Sequence, residues 1–320
     1  MPGIESRLND IWYSDYPPPR LLRFLEHCYA GVTRRRNTVS TEILPIPLVV
    51  IGNFTVGGTG KTPLIVSIVE HLQRIGHKPG VISRGYGRTG KTAYSLNRNS
   101  SAEESGDEPL LIYRRTGAPV QVDSDRLAAA KKIIAEGCDV IISDDGLQHH
   151  KLPRTLEIEV FDALRGYGNG HLLPAGPLRE VPRAVDFRIG NGQVGDSQSA
   201  FGMQLVVDRC YRLHDEAEKS LSEFIGQSVH AVAGIGNPGR FFKTLTDAGL
   251  QITEHAYPDH HRFTDSDLPS GTVLMTEKDA VKCLKSDRTD LWSVPVDALA
   301  SDDFYRSFQA KLFGAGGKNV

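Results

Sequence analysis

The chain has little that would tie it to an oxidising compartment, a nucleic acid or the interior of a membrane. Its four cysteines (Cys28, Cys138, Cys210 and Cys283) lie far apart, with no CxxC pair. That spacing excludes a disulfide scaffold or a zinc ribbon and reads as free thiols in a reducing compartment. No charge dominates: 37 Lys and Arg against 39 Asp and Glu leave a formal net charge of -2, where a nucleic-acid binder would show a basic excess. No stretch approaches the roughly 20 apolar residues that cross a bilayer, and residues 1–19 lack the apolar run of a signal peptide. Repeats of solenoid length are also missing. What remains is an ordinary globular balance, 39% hydrophobic and 24% charged over 320 residues, long enough to bury two cores. The expected location is the cytosol or the cytosolic face of a membrane.

Four segments are expected along the chain. In an N-terminal arm (1–43), Leu21, Leu22, Phe24, Leu25, Cys28, Tyr29 and Val32 recur at helical spacing and run into Arg34-Arg35-Arg36. This predicts an amphipathic helix, which either lies in a lipid interface or docks on the protein's own core. Residues 44–190 alternate strand and helix: strands at 44–51, 79–83, 140–143 and 156–161, helices at 61–75 and 123–136. Apolar strands separated by helices imply parallel βαβ units. Residues 191–215 read as a linker with an exposed strand at 203–213. Residues 216–320 then supply a smaller α/β set, with strands at 229–233, 251–257 and 272–276 and helices at 238–248 and 278–284. The fold expected is α/β: a P-loop NTPase-like parallel sheet domain, a second smaller α/β domain, and the N-terminal amphipathic helix.

The first strand runs into Thr55-Val56-Gly57-Gly58-Thr59-Gly60-Lys61-Thr62 and then a helix, the setting a phosphate loop needs. Glycines let backbone N–H groups turn inward onto phosphate oxygens, and the helix N-terminus adds its positive dipole end. Lys61 is expected on the β- and γ-phosphates and the Thr62 hydroxyl on Mg²⁺. Thr55 stands where the usual pattern has its first glycine, which brings the loop closer to the Gly-Gly-x-Gly-Lys-Thr variant of partitioning ATPases. Val56, however, replaces their signature lysine. The strand at 140–143 ends in Asp144-Asp145, a Walker B arrangement that sets an acid at the same sheet edge. One of the pair holds Mg²⁺ directly or through water; we assign Asp145 to the metal and Asp144 to the catalytic set. ATP binding follows.

Two rivals are weaker. Thr276-Glu277-Lys278-Asp279 resembles a guanine-reading motif, but its lysine falls one position late. Asp259-His260-His261 matches a manganese phosphoesterase tripeptide without the further aspartate clusters of that family. A regulatory ATPase acting on a protein partner is the competing class, though no segment announces such a partner.

The ordered set of motifs resembles the tetraacyldisaccharide 4'-kinase family of lipid A biosynthesis, from the N-terminal arm to nearly the last helix. The resemblance is carried by residues 52–63, by Ser83-Arg84-Gly85-Tyr86-Gly87, Gly106-Asp107-Glu108-Pro109 and Asp144-Asp145-Gly146-Leu147-Gln148-His149, and by residues 173–180. Pro258-Asp259-His260-His261 and Thr276-Glu277-Lys278-Asp279-Ala280 complete it. It implies transfer of the ATP γ-phosphate to the 4'-hydroxyl of an acylated glucosamine disaccharide 1-phosphate, giving lipid IVA at the inner-membrane surface. It also implies Asp107 as the base, Glu108 as a Mg²⁺ partner, and His260 or, one residue on, His261 as partner to Asp107; His260 is favoured. Arg84, Tyr86, His149 and Arg179 are candidates to hold the disaccharide and its phosphate, since Arg binds phosphate bidentately. Read without the family, Asp107-Glu108 is an acidic helix start with Pro109 in the first turn.

Overall fold

The computed structural model describes residues 4–14, 16–34, 42–195 and 200–314. Two helices open it, α1 (Ile4–Trp12) and α2 (Arg20–Arg34). The nucleotide-binding part follows as β1 (Leu48–Gly52), α3 (Lys61–Arg74), β2 (Pro79–Ser83), β3 (Tyr94–Ser95), α4 (Ala102–Ser105), α5 (Asp107–Thr116), β4 (Val120–Val122) and α6 (Arg126–Ala135). It continues through β5 (Val140–Asp144), β6 (Leu156–Asp162), β7 (Phe187–Asn191) and β8 (Phe201–Val206). Then come β9 (Arg209–Arg212), β10 (Glu218–Ser220), β11 (Ser228–Ala233), α7 (Pro238–Asp247), β12 (Gln251–Ala256), β13 (Val273–Thr276), α8 (Glu277–Ala280) and β14 (Leu291–Val294). Strand β15 (Asp297–Ala300) and helix α9 (Asp302–Phe313) close the described chain.

These strands form a nine-stranded sheet in the order β15-β8-β7-β6-β1-β5-β2-β4-β3 and a six-stranded sheet in the order β10-β9-β14-β13-β11-β12. In the large sheet β8 to β4 pair in parallel. Its two edges, β3 and β15, are antiparallel. Strand β1 shows why the sheet needs cover on both faces. Its alternate residues, Val49 and Ile51, join the cluster under α3, α5 and α9, while Leu48 and Val50 join the one under α6. A strand buried on both sides reads as a continuous apolar run, which is how it stands in the sequence.

The chain crosses between sheets twice, at Val207-Asp208 and at Pro295-Val296. The single exposed strand expected over 203–213 is therefore two strands in different sheets, because alternation marks a strand without naming its partner. The second crossing returns β15 and α9 to the large sheet. There Phe304 meets Phe187 and Phe201 at centroid distances of 5.7 and 5.8 Å.

Helix α2 shows one of the two placements expected for it, docking on the protein itself. One side docks: Glu26 Oε1 accepts from Leu172 N at 2.8 Å, and Tyr29 donates to the Arg179 carbonyl at 2.9 Å. The other side leaves Leu21, Phe24, Leu25 and Val32 exposed. Leu22 and Tyr29 thus lie on the half-buried side and not on the open apolar stripe. Arg35 and Arg36 fall outside the described residues, as does the stretch 196–199 of the expected linker.

Candidate active site

The phosphate loop sits at the C-terminal end of β1, ahead of α3. Gly57 and Gly60 take φ of 105° and 95°, left-handed values that a Cβ resists. At Gly60 a Cβ would also stand 3.0 Å from Met203 Cε. Thr55 needs no such freedom: it forms an antiparallel bridge with Leu178, and Val56 N donates to the Pro177 carbonyl at 2.9 Å. The loop is thus held from outside where the common pattern has glycine. Lys61 Nζ donates to Asn53 Oδ1 at 3.0 Å and lies 3.7 Å from Asp145 Oδ1. Asn191 on β7 braces the loop by donating to the Thr59 carbonyl at 3.2 Å, and the buried Thr59 hydroxyl has no partner among the described residues.

Next to this loop β5 ends in the two acids, which differ sharply. Asp144 is buried; one oxygen accepts from Ser83 Oγ at 2.9 Å and the other, Oδ1, has no hydrogen-bond partner among the described residues. Burial, then Glu108 and Asp145, push its carboxyl up to about 7 against the pull of Arg126 and Lys61. Asp145 is also penalised by burial, but Lys61 and Arg179 outweigh it and hold the carboxyl below the ordinary range. Arg179 Nη1 reaches both Asp145 oxygens, at 2.9 and 2.7 Å. Arg126, at the start of α6, is buried under the pair and donates to the Asp144 carbonyl at 2.9 Å.

Helix α5 begins at Asp107, directly after Gly106. That glycine has φ 91°, and a Cβ there would come within 2.9 Å of the Tyr86 carbonyl. Only glycine lets the helix start so close to the β2 loop. Asp107 Oδ2 meets His260 Nδ1 at 3.0 Å, across from the large sheet to the loop after β12. His260 sits at φ 59°, with its ring 5.2 Å from that of Tyr86. His261 points elsewhere, its ring packed 4.8 Å from both Tyr257 and Phe263. Helix α8 and the turn after it bring two lysines: Lys282 Nζ is 3.5 Å from Asp107 Oδ2, and Lys278 Nζ is 3.4 Å from both Glu108 and Asp259. Burial works against the Lys278 charge, yet Glu108, Asp259 and Asp107 raise its pKa. A cavity of about 430 Å³ opens beside Asp107, His260 and Lys282.

The fully buried Asp279 is committed to the protein itself. It accepts from Gly234 N at 2.8 Å, the Thr276 hydroxyl at 2.6 Å and Lys282 at 2.7 Å. The guanine-reading alternative for 276–279 needs a carboxylate open to a base, and this one is not.

The sequence model of the tetraacyldisaccharide-1-P 4'-kinase family matches residues 19–312. The chain belongs to that family. It is 47% identical over 314 aligned positions to the tetraacyldisaccharide 4'-kinase of Xylella fastidiosa (strain M23), covering 92% of this chain and 93% of the relative. With the tetraacyldisaccharide 4'-kinase of Stenotrophomonas maltophilia (strain R551-3) it shares 46% over 333 positions, 98% of each chain. Among solved structures, LpxK of Aquifex aeolicus in its "apo" form in complex with ATP superposes with a TM-score of 0.76 at 26% identity, over 89% of this chain and 96% of that one. The activity is that of an ATP-dependent tetraacyldisaccharide 4'-kinase, in lipid A biosynthesis.

Of the residues expected in this kinase's site, the structure gathers Lys61, Asp144, Asp145 and Arg179 in one group. Asp107, His260, Tyr86 and Glu108 form a second. Arg84 is exposed between them in sequence, and His149 is half-buried with Nδ1 unpartnered, its pKa lowered by burial and by Arg126. Sequence reasoning named Asn53 and Lys278 within motifs but gave them no role in the site, and it missed Arg126 and Lys282. The two lysines carried a usable signal, since Lys278 and Lys282 stand four apart in a segment expected to be helical, although α8 itself ends at Ala280. Arg126 carried none, because its partners on β2 and β5 are distant in sequence, and Asn53 none, because its contacts with Thr55 and Lys61 exist only once the loop is folded.

Proposed function

We propose that the acceptor 4'-hydroxyl enters between the phosphate loop and Asp107, and that Asp107 takes its proton as the oxygen attacks the ATP γ-phosphorus. The new bond is 4'-O to phosphorus, the broken one joins phosphorus to the β-phosphate oxygen, and ADP leaves. Phosphoryl transfer asks mainly for positioning and charge neutralisation. Backbone N–H groups of residues 55–62 and the Lys61 ammonium supply these on the donor side. A sugar hydroxyl is a weak acid, so a carboxylate that takes its proton lowers the barrier. The observation that carries this reading is the 3.0 Å contact of Asp107 with His260; Asp107 is next in sequence to Glu108, whose charge acts on Asp144 at the end of β5.

Mg²⁺ fits the donors present. These are hard oxygens: the Thr62 hydroxyl, the unpartnered Asp144 Oδ1, and the Asp145 and Glu108 carboxylates. Among the described residues no group of three or more acidic, His or Cys side chains can hold an ion alone, in keeping with a metal that keeps waters and shares substrate phosphates. Bound there, the ion would neutralise charge on the β- and γ-phosphoryl oxygens. Arg84, Tyr86, His149 and Arg179 are assigned to the disaccharide and its 1-phosphate, with Arg179 first leaving Asp145. The product is lipid IVA, and the exposed stripe of α2 rests on the inner membrane's cytoplasmic face.

The experiment is transfer from γ-labelled ATP to an acylated disaccharide 1-phosphate in detergent micelles. Label on the lipid supports the reading. Release of inorganic phosphate at a rate indifferent to lipid would favour an ATPase that serves a protein partner.

A further inference from the structure

We infer that Lys282 is a positioning residue for the proton acceptor, setting the orientation of the Asp107 carboxylate from the second sheet; this rests on the reading of Asp107 as base. Lys282 has its side chain only 6% exposed, with Nζ 2.7 Å from Asp279 Oδ1 and 3.5 Å from Asp107 Oδ2. Its stem and head are boxed in further by Phe263, whose ring centroid lies 5.5 Å from Nζ. Asp279 is itself immobile, its other oxygen occupied by Gly234 N–H and the Thr276 hydroxyl. A rigid line thus runs from β13 through Asp279 and Lys282 to Asp107 on α5.

Pairing with Asp279 alone would explain a buried lysine. It would not explain why the ammonium also reaches a carboxylate on the other sheet, or why it reaches the same oxygen that His260 holds. The His260 hydrogen bond and the Lys282 charge, 3.5 Å away, both act on Oδ2 and so orient the carboxylate. Oδ1 receives no hydrogen bond among the described residues and is the oxygen left for the acceptor hydroxyl. A reacting group displaced by about 1 Å can lose on the order of 10²-fold in rate, so a carboxylate free to swing would show in kcat.

The test is steady-state transfer to the acylated disaccharide 1-phosphate by Lys282→Met, Lys282→Arg, Asp107→Asn and Asp107→Asn/Lys282→Met. We expect Lys282→Met to lose about 10- to 10²-fold in kcat with the KM for ATP unchanged. Lys282→Arg should recover most of that loss, and Lys282→Met should cost nothing further once Asp107 is Asn. Removing the lysine strands the Asp279 charge, so Lys282→Met/Asp279→Asn serves as the folding control: its thermal midpoint should return toward wild type while kcat stays low. Wild-type kcat in that folded control, or a loss that adds in full to Asp107→Asn, would overturn the inference and leave Lys282 as a partner of Asp279 only. Full activity of Asp107→Asn would instead overturn the base assignment itself.

Discussion

At the scale of single residues, the two neighbouring aspartates show how environment divides like groups. Asp144 and Asp145 share a strand end, yet burial lifts the first to about 7 while Lys61 and Arg179 hold the second down. The type and place of both acids were legible from an apolar strand ending in Asp-Asp. Their separation was not, since it depends on Glu108, Arg126 and Arg179 arriving from other elements. Lys61 and Thr62 were equally legible, because glycine spacing before Lys-Thr has few other uses. Neither adds to a core, so Lys61→Ala and Thr62→Ala should each abolish most transfer at an unchanged thermal midpoint. Intact turnover in either variant would take the loop out of the mechanism. Glu277 provides a pH test. Burial raises its carboxyl from 4.5 to about 7 although Arg115 pulls the other way. A carboxyl raised in the folded state binds its proton more tightly there than in the unfolded chain, so its contribution to stability is present at low pH and is lost as pH climbs from about 4.5 to about 7. Melting curves of wild type and Glu277→Gln across that range should therefore differ in slope, with the variant flatter. Parallel curves would refute the assignment.

At the scale of elements, β2 was read with its observed bounds and α3 to within one residue, because buried parallel strands and capped helices leave strong periodic marks. Strands β3, β4, β7, β10, β14 and β15 were not foreseen; all but β7 are four residues or fewer, where little pattern can show, and β7 interrupts its apolar residues with Arg188 and Gly190. Helix α2 was foreseen, with docking on the protein as one of its two expected placements. Leu22, Glu26 and Tyr29 face the protein while Leu21, Phe24, Leu25 and Val32 face out among Arg20, Arg23 and His27. No helix among the described residues is long and apolar enough to cross a membrane. Replacing Leu21, Phe24 and Leu25 with Ser should weaken sedimentation with anionic vesicles and raise the KM for micellar acceptor several-fold. ATP affinity should hold, since the docked side is untouched. The wild-type attachment should also loosen with salt as surface charge is screened. Vesicle binding that survives all three substitutions would assign the stripe another role.

At the scale of the whole molecule, two sheets joined by two crossings meet through a set of polar contacts that includes Asp107 with His260 and Glu108 with Lys278. We propose dividing the chain at Val207-Asp208 and Pro295-Val296, with β15 and α9 counted with the large sheet. Composition alone kept 216–320 together, because nothing in the last helix announces which sheet its Phe304 and Phe308 will cover. The family resemblance implied that Asp107 and a histidine some 150 positions away would meet and favoured His260, which is the histidine in contact with Asp107. Across the crossings the Arg115 guanidinium joins α5 to Glu277 on α8 and to Asp297 at the start of β15, so Asp107 and the elements that contact it are tied together beside the second crossing. The most direct measurement is a kinetic cycle on Asp107→Asn, His260→Ala and the double variant, with ATP affinity measured on the same preparations. If base and histidine act as one unit, Asp107→Asn should lose about 10²- to 10⁴-fold in kcat, roughly 3–5 kcal/mol of barrier. The double variant should then lose little more than the worse single one, with ATP affinity unchanged. Losses that add in full, or Asp107→Asn turning over as wild type does, would contradict it.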